Sequence, residues 1–134
     1  MPILNVKLAA TRSAGLSERI AAGLVAITAE ILRKRPEITA VAIDYVDPED
    51  WIVGGRSLAA QGRSSFWLDI KVVDGTNTKD EKAAYIARVF AFMAEALGPL
   101  HPESYALVHE VPADAYGYGG LTQEHRYIAG RLAA

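Results

Sequence analysis

Pro2-Ile3-Leu4-Asn5-Val6-Lys7 follows Met1, and Phe66-Trp67-Leu68-Asp69-Ile70-Lys71 repeats its pattern half a chain later. Both stretches are short, apolar and rich in β-formers, which reads as a strand. A second echo follows each at nearly the same spacing: Asp50-Trp51-Ile52-Val53-Gly54-Gly55, then Ala115-Tyr116-Gly117-Tyr118-Gly119-Gly120. Two matches in one order and at nearly one offset indicate a duplicated unit, and repetition governs the fold before local propensity does.

Each unit contains the same elements. After the first strand, Leu16, Ile20, Leu24, Ile27 and Ile31 recur at helical spacing over 16–35. Arg33, Lys34 and Arg35 fall in its last turn, where the helix dipole favours cations, and Pro36 stops it. A second strand, 41–46, ends at Asp47-Pro48. The second unit has a strand over 66–73, a turn at 74–77, and a helix over 79–97. That helix carries Ile86, Val89, Phe90, Met93 and Leu97 as its core stripe. Gly98-Pro99 ends it, and a strand over 105–111 closes the unit.

The order β-α-β, β-α-β gives parallel strand pairs with right-handed crossovers. The expectation is one α+β domain over 1–134. Two tandem β-α-β units, about 2–55 and 66–120, share a four-stranded sheet with two helices on one face, joined by a linker at about 56–64. Apolar residues on the other sheet face point to self-association. The two Gly-Gly segments read as short hairpins able to pair with a neighbouring subunit's sheet.

Composition narrows the function classes. The chain has 134 residues, 51% hydrophobic and 22% charged, enough for a real core. A net charge of -2 leaves no electrostatic footprint for nucleic acid, so no such partner is expected. With no cysteine, disulfides and thiolate-bound metals are excluded. No signal-peptide pattern and no membrane-length apolar run are found, so a cytoplasmic protein without a membrane partner is expected. His101, His109 and His125 lack zinc-ligand spacing, and Gly117-Tyr118-Gly119-Gly120 opens no helix to hold a phosphate.

The chemistry is centred on Pro2. Once Met1 is removed, the Pro2 nitrogen is a secondary amine held by its ring. An α-amino group has a reference pKa of about 7.7–8.0, and apolar surroundings lower it by disfavouring the charged form. That describes a general base for neutral pH.

Pro2 after Met1, Arg12 in the strand–helix loop, and Trp51 before Gly54-Gly55 resemble the tautomerase superfamily. The first half is similar to 4-oxalocrotonate tautomerase. The duplicated form is similar to malonate semialdehyde decarboxylase, cis-3-chloroacrylic acid dehalogenase and macrophage migration inhibitory factor. The resemblance implies a homotrimer with inward-facing sheets, no metal and no cofactor. It implies a catalytic Pro2 that shuttles a proton between an enol and its keto form on a small carboxylate substrate. It further implies Arg12 as a carboxylate clamp and Trp51 as an apolar wall; Tyr105, able to donate a hydrogen bond to an oxyanion, and Tyr116 are taken beside them as substrate-binding residues.

The sequence also departs from the family. The second arginine, on the strand after the helix, is replaced by Ala40 in one half and Tyr105 in the other. The paired arginines of the decarboxylase and dehalogenase members are absent from residues 74–78, and Lys71, Arg56 and Arg126 are the substitutes on offer. Phe66 matches Pro2 in the second half but is internal, so each chain has one proline site. The expected activity is isomerisation of a 2-oxo or 2-hydroxydienoate acid. The alternatives are a proline-dependent decarboxylase, hydratase or dehalogenase, and a non-catalytic trimer.

Overall fold

The computed structural model describes residues 2–133; Met1, whose removal would free Pro2, lies outside them. The strand β1 (Ile3–Ala9) leads into the helix α1 (Ala14–Leu32) and the strand β2 (Ala40–Val46). A hairpin follows, β3 (Ile52–Val53) with β4 (Arg56–Ser57), then a short helix, α2 (Leu58–Gln61). The second unit is β5 (Phe66–Val73), α3 (Lys79–Leu97) and β6 (Tyr105–Val111), followed by the hairpin β7 (Gly117–Tyr118) with β8 (Leu121–Thr122). A final helix, α4, spans Gln123–Ala133.

The four long strands form one sheet in the order β2-β1-β5-β6, the duplicated α+β arrangement expected. β1 pairs parallel with β2, and β5 parallel with β6, as crossover connections require. The halves meet through β1 and β5, which run antiparallel: Ile3 faces Lys71 and Lys7 faces Trp67. This register decides which residues share an end of the sheet.

Strand alternation sends Leu4, Val6 and Leu8 of β1 and Phe66, Leu68 and Ile70 of β5 into one core beneath the helices. α1 meets it with Ile20, Leu24, Ile27 and Leu32. Where α1 crosses α3, a Cβ on Gly23 would stand 2.0 Å from Cζ of Phe92, so this approach needs glycine. Thr28 Oγ1 and Tyr85 Oη hydrogen-bond at 2.8 Å between the helices, and burial pushes the Tyr85 phenol up to about 12.

Three local expectations need correction, and one element was not foreseen. α1 ends at Leu32, with Arg33 as its C-cap at φ 57°, so Arg33, Lys34 and Arg35 lie past the last turn. Their charges instead meet side chains: Arg33 pairs with Glu81, Lys34 with the Thr76 hydroxyl, and Arg35 with Glu37. In α3 the buried row is Tyr85, Val89 and Met93, spaced by four. Ile86 and Phe90 sit one position round the helix and stay 41% and 38% exposed. Residues 56–64 are more than a linker, because Ser57 caps α2 and Leu58 is fully buried. Finally, α4 extends the chain beyond the second repeat. No described helix is long and apolar enough to cross a membrane.

Candidate active site

Pro2 is buried at the head of β1, and its carbonyl accepts a hydrogen bond from the Ala40 amide at 3.2 Å. Because β1 and β5 are antiparallel, the end of β5 and the turn after it reach this head. Tyr116, just ahead of the second hairpin, does too. Its hydroxyl donates to the Lys71 carbonyl at 3.3 Å, and the Ile3 amide hydrogen-bonds to the same oxygen. The phenol thus reaches both strands where their ladder begins. Burial raises its pKa, partly offset by the Ile3 amide, so it keeps its proton at neutral pH.

The cations of this end come from several elements. Lys34 donates to Thr76 Oγ1 at 2.9 Å, which ties the end of α1 to the turn at 74–78. Its pKa is lowered, chiefly by burial. On the exposed sheet face, Lys71 lies across from Ile3 and pairs with Asp69 at 2.6 Å. The second Asp69 oxygen is 3.4 Å from Nε2 of His109. Arg126, on α4, lies over the Tyr118 ring with 3.9 Å to the centroid. Its Nη2 donates to the Tyr118 carbonyl at 3.0 Å.

The opposite end is headed by Phe66. There Leu8 faces Phe66, and the Ala9 amide donates to the Ser65 carbonyl at 3.0 Å. Arg12 follows directly and is exposed, with no ion pair among the described residues. The length of β1, at about 3.3 Å per residue, sets Arg12 roughly 20 Å or more from Pro2 in one chain. Trp51 and Tyr105 line a pocket of about 400 Å³ at this same end, together with Lys7, Asp50 and Trp67. The Lys7 ammonium is 5.7 Å from the Trp67 ring centroid. Tyr105 donates its hydroxyl to Glu103, and that hydrogen bond raises its pKa. Arg56 belongs to this end as well, donating to the Ala60 carbonyl at 3.3 Å.

Within one chain, then, the structure brings Tyr116 to Pro2 and groups Arg12, Trp51 and Tyr105 around Phe66. Sequence reasoning left Lys71 and Arg126 unplaced; the register and α4 place both at the Pro2 end. The Asp69–Lys71–His109 cluster was missed, since joining 69 and 71 to 109 requires the β5–β6 register. Among the described residues, no group of three histidine or carboxylate side chains is arranged to hold a metal ion.

A family model described as tautomerase enzyme matches residues 67–126. The crystal structure of a native fused 4-OT superposes with a TM-score of 0.80 at 22% identity, covering 92% of this chain and 97% of that one. An asymmetric trimer of a wild-type fused 4-OT gives 0.81 at 19% identity, with 93% and 98% covered. A macrophage migration inhibitory factor-like protein from Entamoeba histolytica gives 0.75 at 20% identity, with 90% and 97% covered. No curated protein matches the chain in sequence. The chain therefore matches the tautomerase model in sequence through residues 67–126, and shares its fold along nearly its whole length with the fused 4-OT and macrophage migration inhibitory factor-like structures.

Proposed function

We propose that the chain is a cofactor-independent tautomerase, assembled as a homotrimer, that moves a proton on a small 2-oxo or 2-hydroxydienoate acid. The observation that carries this reading is the burial of Pro2 at the head of β1, beside a protonated Tyr116. With Met1 removed, the Pro2 nitrogen is an amine in a site that favours its neutral form. It takes the proton from the carbon next to the carbonyl and returns it at the other end of the enol. Negative charge develops on the carbonyl oxygen meanwhile, and the Tyr116 hydroxyl serves it by turning its one proton away from the Lys71 carbonyl.

Arg12, Trp51 and Tyr105 join this site in the proposal only from a neighbouring subunit, whose Phe66 end would stand against Pro2. The trimeric fused 4-OT neighbours support that assembly. The test begins with the intact mass, which reports whether Met1 is gone, and the solution mass, which reports the trimer. Turnover of phenylenolpyruvate is then compared between wild type and Pro2→Ala. Loss of turnover in the variant is expected; full activity in it, or in protein that retains Met1, removes the mechanism.

A further inference from the structure

At the Phe66 end the register lines up one row across all four strands of the exposed sheet face: Asp44 of β2, Lys7 of β1, Trp67 of β5 and Tyr105 of β6. The pocket of about 400 Å³ lies on this row and is completed by Asp50, Trp51 and Ile52, where the chain leaves β2 for the first hairpin. That second wall is pinned. The Asp50 amide donates to the Asp47 carbonyl at 2.7 Å, and the Trp51 carbonyl accepts from the amide of the fully buried Leu58 at 2.8 Å. Both tryptophans of the chain line this one pocket.

Three aromatic rings beside a carboxylate suit a cation, because the face of a ring carries negative charge density. The pocket already displays that preference. Lys7 has Asp44 directly across the ladder and Asp50 in the same lining, yet it makes no ion pair with either among the described residues. Its ammonium lies instead over Trp67, 5.7 Å from the ring centroid. Tyr105 gives its hydroxyl to Glu103, so it offers the pocket a ring rather than a proton. Arg12 and Arg56 belong to this end but lie outside the lining. Lys7 is thus a tethered occupant, with Asp44 free to receive its head when another cation takes the ring.

We propose that this pocket is a second ligand site, separate from the Pro2 site, that takes a small organic ammonium between the tryptophan rings and pairs it with Asp50. The site goes beyond the tautomerase reading and does not rest on it, since one chain supplies every wall. In the proposed trimer the same end would stand near a neighbour's Pro2, so Pro2→Ala is included to tell the two sites apart. With both tryptophans in the pocket, intrinsic fluorescence reads binding directly. Choline and its uncharged isostere 3,3-dimethylbutan-1-ol are titrated into the full chain, as wild type, Lys7→Met, Asp50→Asn, Trp67→Leu and Pro2→Ala. Choline is expected to give a saturable change, and the isostere to bind about tenfold more weakly. Asp50→Asn is expected to weaken choline about fivefold and leave the isostere unchanged. Trp67→Leu, followed by calorimetry, is expected to weaken choline tenfold or more. Lys7→Met is expected to tighten choline several-fold by clearing the ring. Pro2→Ala is expected to bind choline as wild type does. Equal affinity for choline and the isostere, no saturable change, weaker choline binding in Lys7→Met, or binding lost in Pro2→Ala overturns the site. Should Trp67→Leu fail to fold by circular dichroism, Lys7→Met and Asp50→Asn, both at exposed positions, decide. Full phenylenolpyruvate turnover in a Pro2→Ala protein that still binds choline would instead keep the site and remove the proline mechanism.

Discussion

One end of the β1–β5 pair is headed by Pro2 and the other by Phe66, and equivalent elements surround both. Each head has a strand–helix turn, a Gly-Gly hairpin with an aromatic before it, and a lysine across the ladder. The antiparallel pairing exchanges their owners. The first half's loop and hairpin, with Arg12 and Trp51, serve Phe66; the second half's turn and hairpin, with Tyr116, serve Pro2. A duplicated chain of this kind builds each site from its opposite half, so chain proximity to Pro2 is the wrong guide to its neighbours.

The sharpest way to break this comparison is to alter the two heads. Pro2→Ala is expected to lower kcat/KM about a thousandfold, within the range for a lost general base, and to leave the fold intact by circular dichroism. Phe66, 1% exposed, sits in the core against Phe90 with ring centroids 6.2 Å apart. Phe66→Ala is expected to cost about 3–5 kcal/mol in urea unfolding. A Phe66→Ala protein of unchanged stability, or a Pro2→Ala protein of unchanged rate, would erase the distinction between a chemical head and a structural one.

Two smaller effects sharpen it. Trp51→Ala is expected to lower kcat/KM about tenfold, and activity is expected to return in trimers mixed with Pro2→Ala chains, where one chain supplies Pro2 and another Trp51. Full activity in Trp51→Ala alone would place that residue outside the site. Tyr116→Phe removes the hydroxyl that reaches the Ile3 amide and the Lys71 carbonyl at the start of the ladder. About 1–2 kcal/mol of stability and several-fold in kcat are the expected losses; retained stability would show that the ladder closes without the phenol.

The comparison also marks what the sequence made legible. Repeated strands, stripes and Gly-Gly segments carry the sheet, its two helices and both hairpins, because periodicity and turn chemistry act locally. The site depends on a long-range register that spacing does not encode. Nothing near Arg12 in the chain says whether β1 and β5 pair parallel or antiparallel, and that choice moves Arg12 from one end of the sheet to the other. α4 escaped for a different reason: its apolar residues Tyr127, Ile128 and Leu132 remain 49–83% exposed, so no buried stripe defines it within one chain.

The smallest expected effect separates how the ends are fastened. At the Pro2 end, carboxylates do the work. Glu81 accepts from the Thr78 amide and pairs with Arg33 at 2.8 Å, while Glu110 pairs with Lys82 and accepts from the Gly75 amide. The Thr78 amide chiefly holds the Glu81 carboxyl below its ordinary value of 4.5, and the Lys82 bond chiefly does so for Glu110. At the Phe66 end two serine hydroxyls tie residues 64–65 to neutral backbone groups: Ser64 Oγ to the Leu97 carbonyl at 3.1 Å, and Ser65 Oγ to the Glu103 carbonyl at 2.9 Å. A carboxylate whose pKa is depressed by folding contributes stability above its unfolded pKa and loses it as pH falls through the folded value. Below about pH 4.5, therefore, hydrogen-exchange protection should fall over residues 74–82 before it falls over 62–66. Glu81→Gln should flatten that pH dependence, since the amide no longer titrates. Equal loss at both ends would mean that acid opens the sheet as a whole, and that the charged fastenings add nothing local to the Pro2 site.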